Sequence, residues 1–291
     1  MPPAAVMLGF PSDEGVRRNG GRVGAAAGPA ALRRALYRLV PDAESGERFL
    51  DIVGRTLDLG DLAVTGDLEA DQERLGETLA PHIADGAVAI VLGGGHETAF
   101  GHFLAYVRAH RRVEILNWDA HADVREFTSG AHSGSPFRQA LLHASGVCRR
   151  YTVAGLQPQS VARAHLDFIA EHGGSHIWRR DVTRDSIAGF YSDGGRGPAE
   201  IGVNGAASRS LMVSFDLDAV DAANAPGVSA PAIGGFSVQE WLDAARAAGR
   251  CAAMSSVDIV ELNPLLDVDG RTASIAALTV WTILKGMAER T

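Results

Sequence analysis

The sequence predicts an α/β fold in which a parallel sheet is covered by helices on both faces. Three observations carry this expectation. Short apolar runs alternate with helical patterns along the 291 residues. The runs are compact and apolar, as strands buried on both faces are. Acids, histidines and glycines gather directly after those runs, where open parallel sheets bind ligands.

Taken in order, residues 4–10 read as the first strand, followed by a Gly-rich, basic loop over 13–28. Pro29 opens a helix through residue 40, because proline suits the first helical turn. Residues 68–84 read as a helix, and 87–92 as a strand ending in Gly93-Gly94-Gly95. A helix over 98–110 and a strand over 113–118 follow. Residues 151–154, 211–215 and 253–260 read as further strands, and 160–172, 238–248 and 275–287 as helices. The Gly- and Ala-rich stretch 192–208 stays open between a surface loop and a weak helix. No composition shift, repeat or low-complexity linker marks a boundary, so residues 1–291 read as one domain.

Composition narrows the function. A net charge of -8 without a basic block argues against nucleic-acid binding by bulk electrostatics. Cys148 and Cys251 form neither a disulfide framework nor a C-x-x-C pair, which fits a reducing compartment. Residues 1–14 lack a basic segment and a long apolar run, and no stretch suits a membrane span. The expected location is the cytoplasm.

The chemistry sits after the strands. The run 113–118 leads into Asp119-Ala120-His121-Ala122-Asp123, and the run 211–215 into Asp216-Leu217-Asp218. An extended backbone sends alternate side chains to one face, so each period-two set points into one pocket. The glycines before His96-Glu97 allow a tight turn that presents His96. The last strand carries Glu261-Leu262-Asn263-Pro264. A lone Asp after a strand is more often a cap or turn residue, and a lone His more often structural. Two compact acidic clusters beside a Gly-rich His turn are harder to explain so. Buried carboxylates repel one another and need a cation. Asp119, Asp123, Asp216 and Asp218 carry four negative charges, which two divalent ions neutralise. With His96 and His121 and no thiolate, the set suits Mn2+, although Fe2+, Co2+ and Zn2+ also accept such ligands.

At these residues the sequence resembles the ureohydrolase superfamily of arginases and agmatinases. The resemblance rests on Gly94-Gly95-His96, Asp119 to Asp123, Ser214-Phe215-Asp216-Leu217-Asp218, Pro226-Gly227-Val228-Ser229-Ala230-Pro231 and Glu261-Leu262-Asn263-Pro264. Within it the chain is most similar to the formimidoylglutamases, through residues 13–25, Ser133-Gly134-Ser135-Pro136-Phe137 and residues 155–160. Arginases and agmatinases usually have His-Gly where this chain has Ser133-Gly134, and its histidine, His132, sits one residue earlier.

The resemblance implies a three-layer α/β/α domain with a mostly parallel eight-stranded sheet, two Mn2+ ions per subunit and usually a homo-oligomer. It implies that His96, Asp119, Asp123 and Asp216 hold one ion, that His121, Asp119, Asp216 and Asp218 hold the other, and that Asp119 and Asp216 bridge. The implied reaction is hydrolysis of N-formimidoyl-L-glutamate to L-glutamate and formamide by a metal-bridging hydroxide, a step of histidine degradation. Asp123 would relay the proton to the leaving nitrogen, with His132 as second candidate because an imidazole titrates near neutrality. Glu261 would orient the cationic nitrogens. Arg17, Arg18 and Arg22, with Asn19, are the expected binders of the substrate carboxylates, since guanidinium groups suit bidentate carboxylate recognition. Arg125 and Arg138 rank behind them because they follow motif residues directly. The alternatives are a urea-releasing enzyme acting on arginine, agmatine or 4-guanidinobutyrate, and a metal-binding protein without turnover.

Overall fold

The structure, a computed structural model, describes residues 2–191 and 210–290. Eight strands form one sheet: β1 (Ala5–Phe10), β2 (Thr56–Asp61), β3 (Val88–Gly93), β4 (Val113–Trp118), β5 (Cys148–Leu156), β6 (Ser175–Trp178), β7 (Leu211–Asp216) and β8 (Met254–Val260). The helices are α1 (Glu14–Arg18), α2 (Gly28–Leu36), α3 (Glu47–Gly54), α4 (Leu68–Ala84), α5 (Thr98–Arg108), α6 (Pro136–Leu142), α7 (Arg163–Glu171), α8 (Arg184–Ile187), α9 (Val238–Arg250) and α10 (Arg271–Ala288). The strand order is β2-β1-β3-β8-β7-β4-β5-β6, and every pairing is parallel.

Alternate residues of the strands feed two cores, which is why the strands are apolar throughout. Met7, Ile90, Trp118, Val213 and Ile259 point to a layer built by α2, α3, α9 and α10. Val6, Leu8, Val91, Ile115 and Met212 point to the layer of α4, α5 and α6. The first core centres on Trp118, which meets the rings of Phe190, Phe215 and Phe236 and donates its indole N–H to Tyr191 (2.7 Å). On the second face β8 departs from the apolar rule. Ser256 and Asp258, two residues apart, point at Tyr106 and His102, four residues apart on α5, and each pair is hydrogen bonded.

The expected strands all form, with ends shifted by up to three residues. The sheet gains β2 and β6 at its two edges, where half-exposed and polar side chains give no continuous apolar run. The expected helix over 29–40 stops at Leu36, and the basic loop holds the single turn of α1. The stretch 192–208 lies outside the described residues.

One feature of the topology positions the chemistry. The four strands that end in the acidic and histidine motifs, β3, β8, β7 and β4, are the four central neighbours of the sheet. Their carboxyl ends therefore open side by side, flanked by the long loop that follows β1.

Candidate metal centre and active-site cleft

The turn after β3 needs its glycines. A Cβ on Gly94 would overlap the Ser12 carbonyl oxygen, to which the Gly95 N–H is hydrogen bonded (2.9 Å). This close approach swings His96 inward, where its backbone N–H donates to Glu261 Oε1 (2.7 Å). Glu261 itself is left-handed (φ 66°), and so is Asp123 (φ 46°). Non-glycine residues pay for this conformation, and such strain concentrates at functional sites. It re-aims each carboxylate at the point where its strand ends.

The acids are fixed by their own backbone. Asp119 Oδ1 accepts from the His121 N–H (2.7 Å), and its Oδ2 accepts from Asn117 Nδ2 (3.0 Å). Asp216 Oδ1 accepts from the Asp218 N–H (2.8 Å), and Asp218 Oδ1 from the Ala230 N–H (3.1 Å). Asp216 and Asp218 thus keep their second oxygens directed at the centre, and both oxygens of Asp119 are fixed in place.

Two overlapping groups of ligand atoms result. His96, Asp119, Asp123 and Asp216 form one and His121, Asp216 and Asp218 the other, with atoms within 4.8 Å of one another in each. His96 Nδ1 lies 2.8 Å from Asp123 Oδ2, 2.9 Å from Asp216 Oδ2 and 3.5 Å from Asp119 Oδ2. His121 Nδ1 lies 3.4 Å from Asp119 Oδ1 and 4.0 Å from Asp218 Oδ2. Asp119 therefore meets both histidines, and Asp216 belongs to both groups.

Charge here is strained without a cation. Burial, then the neighbouring Asp218 and Asp119, holds Asp216 well above the usual carboxylate range. Burial pushes Asp218 up to about 6. Glu261 is raised well above its ordinary value by burial and by Asp218 and Asp216. Burial disfavours charge on the histidines, yet the carboxylates outweigh it: His96 is raised well above its ordinary value and His121 to about 10. Despite its short contacts, buried His96 Nδ1 makes no hydrogen bond of acceptable geometry. A nitrogen lone pair and several carboxylate oxygens converging on one point make a cation site. The donors are oxygen and imidazole nitrogen, and neither cysteine belongs to either group, which fits manganese.

A cleft of about 330 Å³ opens onto the cluster. His121, Asp123, Asp216, Asp218 and Glu261 make up its acidic lining, the floor, and Asn19, Arg22, Arg125, Ser133 and Ser229 the rest of its polar lining, the wall. Glu261 Oε2 is buried and has no hydrogen-bond partner among the described residues. A roomier cleft of about 440 Å³ between α8 and α9 holds none of the motifs, and its Arg184 and Arg246 are paired with Asp243 and Glu289.

The residues expected to bind substrate divide sharply. Asn19 and Arg22 reach the cleft. Arg22 is anchored there by the carbonyls of Val228 (2.7 Å) and Ser229 (2.9 Å). Arg17 does not reach it: its side chain is 65% exposed and pairs with Glu14. Arg18 is spent on Glu14, Glu69 and the Ala131 carbonyl. His132 does not reach it either, because its Nε2 faces the Glu126 carbonyl (2.9 Å) and its Nδ1 accepts from the Gly134 N–H (3.2 Å). Arg125 takes the open place, with its guanidinium held by Asn19 Oδ1 (3.2 Å), while Asn19 Nδ2 donates to Ser133 (3.1 Å). The signal for Arg125 was present in the sequence, as the next step of the period-two series Asp119, His121, Asp123.

Known proteins resemble the chain along nearly its whole length. The arginase family model matches residues 3–285. A formimidoylglutamase of Nocardia farcinica is 40% identical over 97% of this chain and 86% of its own length. One from Chromobacterium violaceum is 37% identical over 97% and 87%. Among solved structures, the crystal structure of Trypanosoma cruzi formiminoglutamase with Mn2+2 superposes with a TM-score of 0.87 at 32% identity, covering 99% of this chain and 95% of that one. An arginase from Bacillus subtilis gives 0.78 at 25% identity, over 97% and 98%.

Proposed function

The chain belongs to the arginase family, and from that premise we propose that it is a manganese-dependent formimidoylglutamase that hydrolyses N-formimidoyl-L-glutamate to L-glutamate and formamide, a step of histidine degradation. His96, Asp119, Asp123 and Asp216 would hold one manganese ion, and His121, Asp216 and Asp218, with Asp119 beside His121, would hold the other. When bound, paired divalent ions supply a water acidified enough to act as nucleophile near neutral pH.

The protein's own groups do the rest. Glu261 Oε2, buried without a hydrogen-bond partner among the described residues, accepts N–H donors from the cationic formimidoyl group and turns its carbon toward the cluster. Asp123, on the cleft floor, holds the proton destined for the leaving nitrogen. Arg22 and Arg125, with Asn19 and Ser133, bind the two carboxylates of the glutamate portion. What carries this function is one juxtaposition: a cluster of acids and histidines that fits a cation lines the same cleft as Arg22 and Arg125. Those arginines suit an anionic tail and repel the cationic tail of agmatine.

We also take residues 1–291 as one catalytic domain that forms a homo-oligomer in the cytoplasm, without nucleic-acid or membrane partners. Among the described residues no helix is long and apolar enough to cross a membrane.

Product analysis tests the substrate. Mn2+-loaded protein is given N-formimidoyl-L-glutamate, arginine, agmatine and 4-guanidinobutyrate in parallel. Formamide and glutamate from the first alone are expected. Urea from a guanidino compound, with the first untouched, would overturn the assignment.

A further inference from the structure

Behind His96 runs a fully buried line of polar side chains that the reaction itself does not use. His96 Nε2 meets Ser214 Oγ at 2.9 Å, the Ser214 hydroxyl donates to Asp258 Oδ1, and Asp258 Oδ2 meets His102 Nδ1 at 2.7 Å. All four residues are at most 1% exposed. The line crosses three elements. Ser214 and Asp258 are register partners on the adjacent strands β7 and β8, which points both to the same face of the sheet, and His102 comes from α5 above them.

The line has a direction. Asp258 accepts at both oxygens, from Ser214 and from His102. The one hydroxyl proton of Ser214 is therefore committed, and Ser214 Oγ can only accept from His96. His96 Nε2 must then carry an N–H, so the nitrogen available to give its lone pair to a metal ion is Nδ1, which faces Asp119, Asp123 and Asp216. A histidine ligand is tuned in this way by what its second nitrogen touches.

We propose that His102, Asp258 and Ser214 form a positioning relay that locks His96 in the tautomer and orientation needed to hold a metal ion. His102 is the outer anchor: it gives Asp258, a carboxylate with no exposure, its second hydrogen bond. Without that donor Asp258 is half-paired in the interior and has reason to turn away. Ser214 then loses its acceptor, and His96 its constraint. Among the described residues His121 has no such support, being a quarter exposed and bordering the cleft. The relay therefore acts on one of the two metal positions. It presupposes the metal-holding role given above for His96.

The test reads metal affinity rather than turnover. Metal-free protein is titrated with Mn2+ by calorimetry and by electron paramagnetic resonance, for the unaltered chain, Ser214→Ala, His102→Leu, His102→Asn and His96→Ala. Ser214→Ala and His102→Leu are expected to weaken one manganese position by about 10–100-fold and spare the other. His102→Asn, whose amide nitrogen sits near the place of Nδ1, is expected to restore most of that loss. Ser214→Ala is expected to add nothing in the His96→Ala background, since its effect passes through His96. If His102→Leu fails to fold, Ser214→Ala decides. Both dissociation constants within twofold of the unaltered chain in Ser214→Ala, or an equal loss at both positions, would overturn the relay alone. An unaltered chain that binds no manganese would overturn the relay and the metal assignment together.

Discussion

His96 and His121 share Asp119 and Asp216 but have opposite surroundings. His96 is buried, turned by glycines, wedged edge-on against Phe137 and backed by Ser214 and Asp258. His121 is a quarter exposed and borders the cleft. The contrast separates two jobs within one cluster. The His96 side is shaped by the protein interior, so substitutions far from the substrate act on it. The His121 side is shaped by what enters the cleft.

Breaking the shared acids should erase the contrast. Asp119→Ala is expected to retain neither manganese ion after dialysis, whereas His96→Ala keeps one of the two, as metal analysis would count. Full, equal occupancy in both variants would remove the bridging role of Asp119. Glu261→Gln sharpens the contrast, because it keeps an acceptor for the His96 N–H but removes the charge offered to the formimidoyl nitrogens. Its kcat/KM should fall about 10²–10³-fold with metal content unchanged. On the cleft wall, Arg125→Ala should lower kcat/KM by about 10–100-fold, through both KM and kcat, the effect of losing a charged hydrogen-bonding partner. Arg18→Ala, whose side chain is tied to Glu14 and Glu69, should leave KM nearly unchanged in the same steady-state assay. The smallest effect concerns Glu14, which its bond to Arg17 and the neighbouring Arg18 hold at about 2, below the ordinary 4.5. A lowered carboxylate stabilises the fold above its unfolded pKa and loses that contribution as pH falls through the folded one. Glu14→Gln should therefore lower the melting temperature slightly at pH 7, and the difference should close between pH 4.5 and pH 2.

Much of this site is written locally. The strand over 113–118 and the helix over 68–84 were legible because each is set by a repeat within one element, whereas the acids after the strand leave the extended backbone, with Asp123 left-handed. The edge strands β2 and β6 were not, since half-exposed, polar residues such as those of Thr56–Asp61 carry no apolar run. Arg17, Arg18 and Arg22 share one loop and one chemistry in the sequence. What divides them is Glu69, Ala131 and Val228, partners dozens to hundreds of residues away. The relay was illegible for the same reason: His102 and Asp258 are 156 residues apart, and only the packing of α5 on β8 pairs them.

Asn263 ties the two walls of the cleft together. Its amide donates to the carbonyls of Arg22 and Val23 (3.0 Å each), while it follows Glu261 by only two residues. The loop proposed to recognise the tail of the substrate and the carboxylate proposed to aim its reacting end are thus braced by one strut. Binding energy gained at the glutamate end is then available for orientation at the formimidoyl end, rather than for affinity alone. A shortened amidine without carboxylates is accordingly expected to lose turnover as well as binding, although it fits the reacting end of the cleft.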